Sequence, residues 1–313
     1  MNIAYACDNN FVDVMCVSIM SFNDHNCDAN IYILDCGIED ANKQKIMKLC
    51  SGKNAVFFID AKKTLDGLDY DLNLDRGSIA AYARLFIGSM LPEDVKKVLY
   101  LDCDTLVLDS ISSLYETVLG DCIIGGVRDA FSYLNKKVFG FERGELFINS
   151  GVLLINLFQY RKSKIEDSIN ELLQRQSSIF QGDQGIINIV LHDHIKEIPL
   201  KFNLQTYLYV FTYEEMMRYR KPDHYFEKEE VEEAIKNPQI VHFSTCFRSN
   251  RPWNNNGDLD HPYYDKWTAY YEQIGGIKRI TRKKNVIQRS NKALFFIGII
   301  HAYVRPIHHL VGR

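Results

Sequence analysis

Two aspartates, Asp102 and Asp104, close an apolar run, Val98-Leu99-Tyr100-Leu101, with Cys103 between them. Residues two apart in an extended chain point to the same side, so the two carboxylates can converge on one point. Held that close they repel unless something cationic lies between them. Oxygen donors suit hard cations such as Mn²⁺ or Mg²⁺, and two protein carboxylates leave coordination positions that a diphosphate could fill. The run then reads as a buried strand carrying a metal to the C-terminal edge of a sheet, where open α/β sheets bind ligands. Two solvated acids at a turn are the competing reading, and the local sequence leaves both standing.

Other residues could join such a site. Asp8 and Asn10 follow the first apolar run, where short polar side chains could hold a nucleobase or ribose, although Asp-Asn-Asn also fits a turn and a helix cap. Arg84 is the one charge in Ser78–Met90, which reads as a helix apolar nearly all round. A buried Arg needs a partner, either a structural acid or a metal-site carboxylate or phosphate. Asn149-Ser150-Gly151 precedes a long apolar strand. Asp183 and Gln184 sit in a Gly-punctuated loop, 180–185, that opens a helix over 186–191, where capping would also account for them. His242 lies in the strand Ile240-Val241-His242-Phe243, followed by the cationic segment Arg248-Ser249-Asn250-Arg251-Pro252-Trp253. The stretch 207–225 is rich in Tyr and Met, as exposed carbohydrate-binding surfaces are and as a core or lid would be.

The elements that must position these residues alternate strand and helix. Ile3–Cys7, Asn30–Asp35 and Ala55–Asp60 read as strands, separated by helices over 11–22 and 39–50. Further strands are expected at 122–127 and, after Gly151, over the apolar run that ends at Asn156, with an amphipathic helix at 164–176. This alternation predicts an α/β fold with a mostly parallel central sheet flanked by helices. Neither G-x-G-x-x-G nor G-x-x-x-x-G-K-[ST] occurs, which removes the main warrant for dinucleotide-fingerprint and P-loop sites.

The 313 residues are 46% hydrophobic and 25% charged, ordinary for a globular chain. The net charge of −3 hides an asymmetry. Residues 278–313 carry nine Lys or Arg and no acid, so 28 basic residues face 40 acidic ones in the rest of the chain, a net of −12 there. Nucleic-acid binding is not expected of so acidic a body. The eight cysteines show no C-x-x-C pair or metal spacing, which favours a reducing, cytoplasmic setting. The N-terminal residues run into a strand without a basic segment, so no secretory signal is expected. No apolar stretch reaches the roughly 18–20 residues of a membrane span.

Taken in order, A-C-D-N-N, S-I-A-A-Y-A-R-L, V-L-Y-L-D-C-D-T-L-V, F-I-N-S-G-V-L-L-I-N-L, Q-G-D-Q-G-I-I-N, and H-F with R-P-W resemble glycosyltransferase family 8 over about residues 1–275. These are retaining, metal-dependent sugar transferases, typified by bacterial lipooligosaccharide galactosyltransferases. The resemblance implies a GT-A fold, Mn²⁺ (Mg²⁺ being possible), and a UDP-hexose donor, UDP-galactose or UDP-glucose. It makes Asp102, Asp104 and His242 the metal ligands and sets Asp8 and Asn10 at the uridine end. Arg84, Asp102, Cys103 and Asn149 fall in the donor-binding set, Asp129 nearer the acceptor. Asp183 would bond sugar hydroxyls, and Gln184 would lie closest to the reacting face of the anomeric carbon. The family places a Lys six residues after the His and directly before Pro-Trp. Here Arg248 keeps the spacing and Arg251 the context, and Arg251 is the preferred diphosphate ligand. Gln184 is a poor nucleophile, and no pair of carboxylates signals a covalent route, which favours same-face attack.

Two other functions were weighed against this. A haloacid-dehalogenase-like phosphatase also ends a strand in D-x-D, but there one residue separates the second Asp from Thr, whereas Thr105 follows Asp104 directly. A non-catalytic glycan-binding protein would not need the Asp pair and His242. The chain is thus expected to comprise a catalytic domain, 1–275, and a basic amphipathic tail, 276–313. The tail's Lys and Arg with the apolar run 293–304 suit an anionic membrane surface. That predicts a cytoplasmic transferase, peripheral on the inner face of the plasma membrane, beside a glycan or glycolipid acceptor.

Overall fold

The computed structural model describes residues 1–68, 78–176, 179–246, 251–253 and 261–277. Arg248 and the basic segment 278–313 lie outside the described residues. Ten strands are described: β1 (Asn2–Cys7), β2 (Asn30–Asp35), β3 (Ala55–Asp60), β4 (Lys97–Leu101), β5 (Thr105–Val107), β6 (Ile124–Arg128), β7 (Ile148–Asn156), β8 (Ile195–Glu197), β9 (Leu204–Gln205) and β10 (Ile240–His242). Seven form one sheet in the order β3-β2-β1-β4-β7-β6-β8, and β5-β10-β9 form a second. In the large sheet only β7 runs antiparallel to its neighbours, β4 and β6, so the sheet is mostly parallel, as expected.

Alternation along the central strands explains why this sheet is buried on both faces. Ile3, Tyr5, Leu99, Leu101, Val152 and Leu154 pack in one core with Met15, Cys16 and Ile19 of the helix Val12–His25. Ala4, Ala6, Val98, Tyr100, Leu153 and Ile155 face the opposite core, shared with the helices Ile165–Arg175 and Gly182–Val190. A third cluster joins Val14 and Val17 to Phe243, Trp267 and Tyr270, seating the helix Tyr264–Gln273 against Val12–His25. Among the described residues no helix is long and apolar enough to cross a membrane. All eight cysteines are free.

Several local expectations shift. Ser78–Met90 is not one α-helix: Ile79–Phe86 is a 3₁₀-helix, and only Ile87–Met90 is α-helical. Three residues per turn put Ser78, Ala81 and Arg84 in one row, and all three line the site described below. The helix expected over 186–191 begins earlier, at Gly182, so Asp183 and Gln184 stand in its first turn rather than in a loop. Its cap is Gln181 in the left-handed region (φ 66°), which makes no side-chain capping bond. The tyrosines of 207–225 are not an exposed aromatic surface throughout, since Tyr207 and Tyr225 are buried in the core and their hydroxyls lie 3.3 Å apart.

Candidate active site

The D-C-D turn is where the chain leaves one sheet for the other. β4 ends at Leu101 in the large sheet, and β5 begins at Thr105 in the small one. There β5 pairs with β10 so that Thr105 stands opposite His242. Two strands far apart in sequence thus bring an imidazole beside the acid pair. His242 Nε2 lies 3.2 Å from Asp104 Oδ1 and 3.8 Å from Asp102 Oδ2. One ligand atom from each residue falls within 4.8 Å of the others.

The three residues fit a divalent cation. His242 is 3% exposed, and its Nε2 is buried with no hydrogen-bond partner among the described residues, a costly state unless something else takes up its lone pair. On the other ring nitrogen, Nδ1 lies 3.0 Å from Asn203 Oδ1, the kind of bond that orients metal-binding histidines. Gly151 packs beneath. A Cβ there would come 2.7 Å from His242 Nδ1 and 2.9 Å from Asp102 Oδ2, closer than side chains tolerate. Only glycine lets β7 approach the acid–histidine cluster this closely.

Arg84 is 6% exposed and joins two carboxylates. Its Nη2 is 2.7 Å from Asp102 Oδ1, and its Nε is 3.2 Å from Asp183 Oδ2. Nη1 donates to the Ser150 carbonyl at 2.7 Å, and the guanidinium lies over the Tyr100 ring. Burial alone would disfavour its charge, but Asp102 and Asp183 outweigh that and raise its pKa above the ordinary value. The structural partner and the metal-site partner considered for Arg84 are therefore the same residue, Asp102. Asp183 does not act as a cap; it also accepts from Ser150 Oγ at 3.0 Å.

Two cavities meet at this point. One, of about 280 Å³, is bordered by Asp8, Asn10, Ser78, Arg84, Asp102 and Arg251. The other, of about 270 Å³, takes in Arg84, Asp102, Asp129, Asn149, Asp183 and Gln184. Asp8 both caps and faces the first cavity. Its Oδ1 accepts from the N–H groups of Asn10 and Phe11, and its Oδ2 from Ser78 Oγ at 2.6 Å. Cys103 also borders this cavity. Its Sγ donates to the Ala6 carbonyl at 3.2 Å, and its bond with Cys7 and its burial hold the thiol well above its ordinary pKa. Arg251 reaches within 3.6 Å of Asp104 Oδ2, donates to Thr245 Oγ1 at 2.9 Å, and has a buried Nε with no partner among the described residues. Trp253 anchors its loop against Phe11, Phe243 and Trp267.

In the second cavity Asp129 is 5% exposed. Its Oδ2 accepts from Gln184 Nε2 at 3.2 Å and its Oδ1 from Arg220 Nη2 at 2.8 Å. Burial opposes the Arg220 charge, and Asp129 more than offsets it, raising that pKa. Gln184 Oε1 in turn accepts from Asn149 Nδ2 at 3.0 Å. Every described residue put forward from the sequence thus borders this pair of cavities. The sequence reading missed Arg220, Asn203 and Gln205, and gave Ser150 no role. For Asn203 and Gln205 a signal was present: N-x-Q has the same two-residue spacing as D-C-D. For Arg220, at the end of the helix Tyr213–Arg220, there was none.

Known proteins resemble this chain throughout. It is 26% identical over 284 residues to general stress protein A of Bacillus subtilis, spanning 86% of this chain and 92% of that one. It is 27% identical over 209 residues to the lipopolysaccharide 1,2-glucosyltransferase of Escherichia coli, spanning 65% of this chain and 62% of that one. The crystal structure of the galactosyltransferase LgtC in complex with donor and acceptor sugar analogs aligns with a TM-score of 0.71 at 25% identity, over 88% of this chain and 97% of that one. With residues 2–257 matching glycosyl transferase family 8, the chain belongs to that family.

Proposed function

We propose that the protein transfers a hexosyl group, galactose or glucose, from a UDP-sugar to a glycan or glycolipid acceptor, with Asp102, Asp104 and His242 holding Mn²⁺ or Mg²⁺. The observation that carries this reading is the buried Nε2 of His242, without a hydrogen-bond partner among the described residues, beside two carboxylates where the two cavities meet. Family membership sets the phosphatase reading aside, and a binding protein would have no use for so costly a cluster. The solved relative holds donor and acceptor sugar analogs and another relative is named a glucosyltransferase. Both support hexosyl transfer without choosing the sugar.

Departure of UDP concentrates negative charge on its diphosphate, and catalysis requires groups already placed to receive that charge. A divalent cation on the Asp–Asp–His set would supply Lewis-acid neutralisation there. Arg251, whose Nε has no partner among the described residues, is the side chain suited to add bidentate phosphate contacts. Asp8 and Asn10 would take the uridine end of the first cavity. Asn149 and Asp183 would take sugar hydroxyls in the second, with Arg84 tying Asp183 to Asp102. Gln184 would face the anomeric carbon. Its amide is no nucleophile, while Asp129 and Asp183 are each ion-paired to an arginine, so we infer same-face attack by an acceptor hydroxyl entering beside Asp129. The basic, acid-free sequence of 278–313 supports placement on an anionic membrane at the inner face of the plasma membrane, next to a lipid-linked acceptor.

Thermal melting with UDP, ADP, Mn²⁺ and their combinations tests the reading, since a ligand that binds only the folded state raises Tm. UDP with Mn²⁺ should stabilise more than either alone, and a UDP-hexose panel should show slow hydrolysis of one donor. Equal responses to UDP and ADP, or none to Mn²⁺, would overturn it.

A further inference from the structure

Asn203 is fully buried and lines neither cavity, yet it stands between two residues of the site. Its Nδ2 donates to Asn149 Oδ1 at 2.8 Å, and its Oδ1 lies 3.0 Å from His242 Nδ1. Which way each amide faces is decided by neighbours that can act in only one sense. The Gly151 backbone N–H, always a donor, points at Asn149 Oδ1 at 3.0 Å. Asn149 Nδ2 must then face Gln184 Oε1, and that orientation of Gln184 agrees with its Nε2 donating to the carboxylate of Asp129. With Asn149 Oδ1 fixed as an acceptor, Asn203 must present Nδ2 to it and Oδ1 to His242. The imidazole can complete that contact only as an Nδ1–H donor.

We infer that Asn203 is a positioning residue that holds His242 as the Nδ1–H tautomer, so that Nε2 presents a lone pair to Asp102 and Asp104. The inference rests on the metal-site reading above. Left to itself, a neutral imidazole whose Nε2 is 3.2 Å from Asp104 Oδ1 would be drawn by the two carboxylates to carry its proton on Nε2, which would bar a cation. Asn203 reverses that preference. It rewards the tautomer that is unsatisfied without a metal, so the cluster is arranged for a cation before one arrives.

The test is ¹⁵N NMR of the imidazole in metal-free protein at about pH 9, where an ordinary histidine is neutral, together with Mn²⁺ affinity from the free-ion EPR signal. Wild type should show the proton on Nδ1. Asn203→Leu should move it to Nε2 and weaken Mn²⁺ about 10–100-fold. Asn203→Asp, whose carboxylate can only accept, should retain the Nδ1–H tautomer and bind Mn²⁺ at least tenfold more tightly than Asn203→Leu. A proton on Nε2 in wild type would overturn the inference, as would wild-type tautomer and affinity in Asn203→Leu. If Asn203→Leu does not fold, the wild-type and Asn203→Asp spectra still decide it. An Nδ1–H wild type that binds no Mn²⁺ would uphold the tautomer assignment and sink the metal-site reading instead.

Discussion

Replacing Gly151 by alanine adds one methyl group at the most crowded point of the site. The new Cβ would overlap His242 Cε1 and come within 2.7 Å of Nδ1 and 2.9 Å of Asp102 Oδ2, where ordinary contact begins near 3.4 Å. The backbone cannot retreat easily, because the Gly151 carbonyl accepts from Asp102 N–H at 2.8 Å and β7 is paired on both sides. The ring must therefore move by about 1 Å, away from Asn203 and out of line with the acids. Overpacking of this kind costs about 1–3 kcal/mol of stability, and a displacement of about 1 Å at a reacting centre costs about 100-fold in rate. Gly151→Ala should thus fold with a modestly lowered Tm, bind Mn²⁺ at least tenfold more weakly and lose about 100-fold in transfer. Gly67→Ala, whose Cβ would meet nothing nearer than 3.5 Å, is the control. Mn²⁺ affinity and turnover within threefold of wild type in Gly151→Ala would refute the claim that β7 was brought in to shape the ligand set.

Asp104→Asn should lower transfer by about 10²–10³-fold while the protein still unfolds cooperatively; near-normal turnover at saturating Mn²⁺ would remove Asp104 from the ligand set. Arg251→Ala should weaken UDP binding more than Arg248→Ala, measured by calorimetry, and the reverse order would show that spacing from His242 was the better guide. His261 is 3% exposed, and burial lowers its pKa from 6.5 to about 4. The unfolded chain therefore binds more protons between those values, so the stability is full above pH 6.5 and is lost as pH falls toward 4. His261→Phe should abolish about 2 kcal/mol of the loss in unfolding free energy between pH 7 and pH 5; an unchanged loss in denaturant titrations would argue against a neutral buried ring. A chain ending at Gly276 should lose the salt-sensitive co-sedimentation with anionic liposomes expected of the full chain, and equal pelleting of both would refute the membrane reading.

Much of this protein follows from short-range pattern. The continuous apolar runs Ile3–Cys7 and Ile31–Leu34, alternating with helical spacings, are enough to expect a parallel α/β sheet, because a strand covered on both faces is apolar throughout. Spacing anticipates the convergence of Asp102 and Asp104, though by an extended backbone where the chain in fact makes a turn, Thr105 N–H donating to the Asp102 carbonyl at 3.2 Å, and resemblance to the family assigned His242 to the same point. What the sequence leaves open is decided by contacts that cross the chain. Arg84 could have paired with any acid, and only the packing of the 3₁₀ turn against β1 and the helix Gly182–Val190 selects Asp102 and Asp183. The helix start at Gly182 depends on a left-handed Gln181 that no local propensity favours. The polarity of His242 depends on Asn203, Asn149 and the backbone N–H of Gly151, in the same strand as Asn149. Hydrogen-bond direction in a buried network is a property of the closed set of donors and acceptors, and that set exists only once β7, β10, Asn203 and the helix Gly182–Val190 have come together.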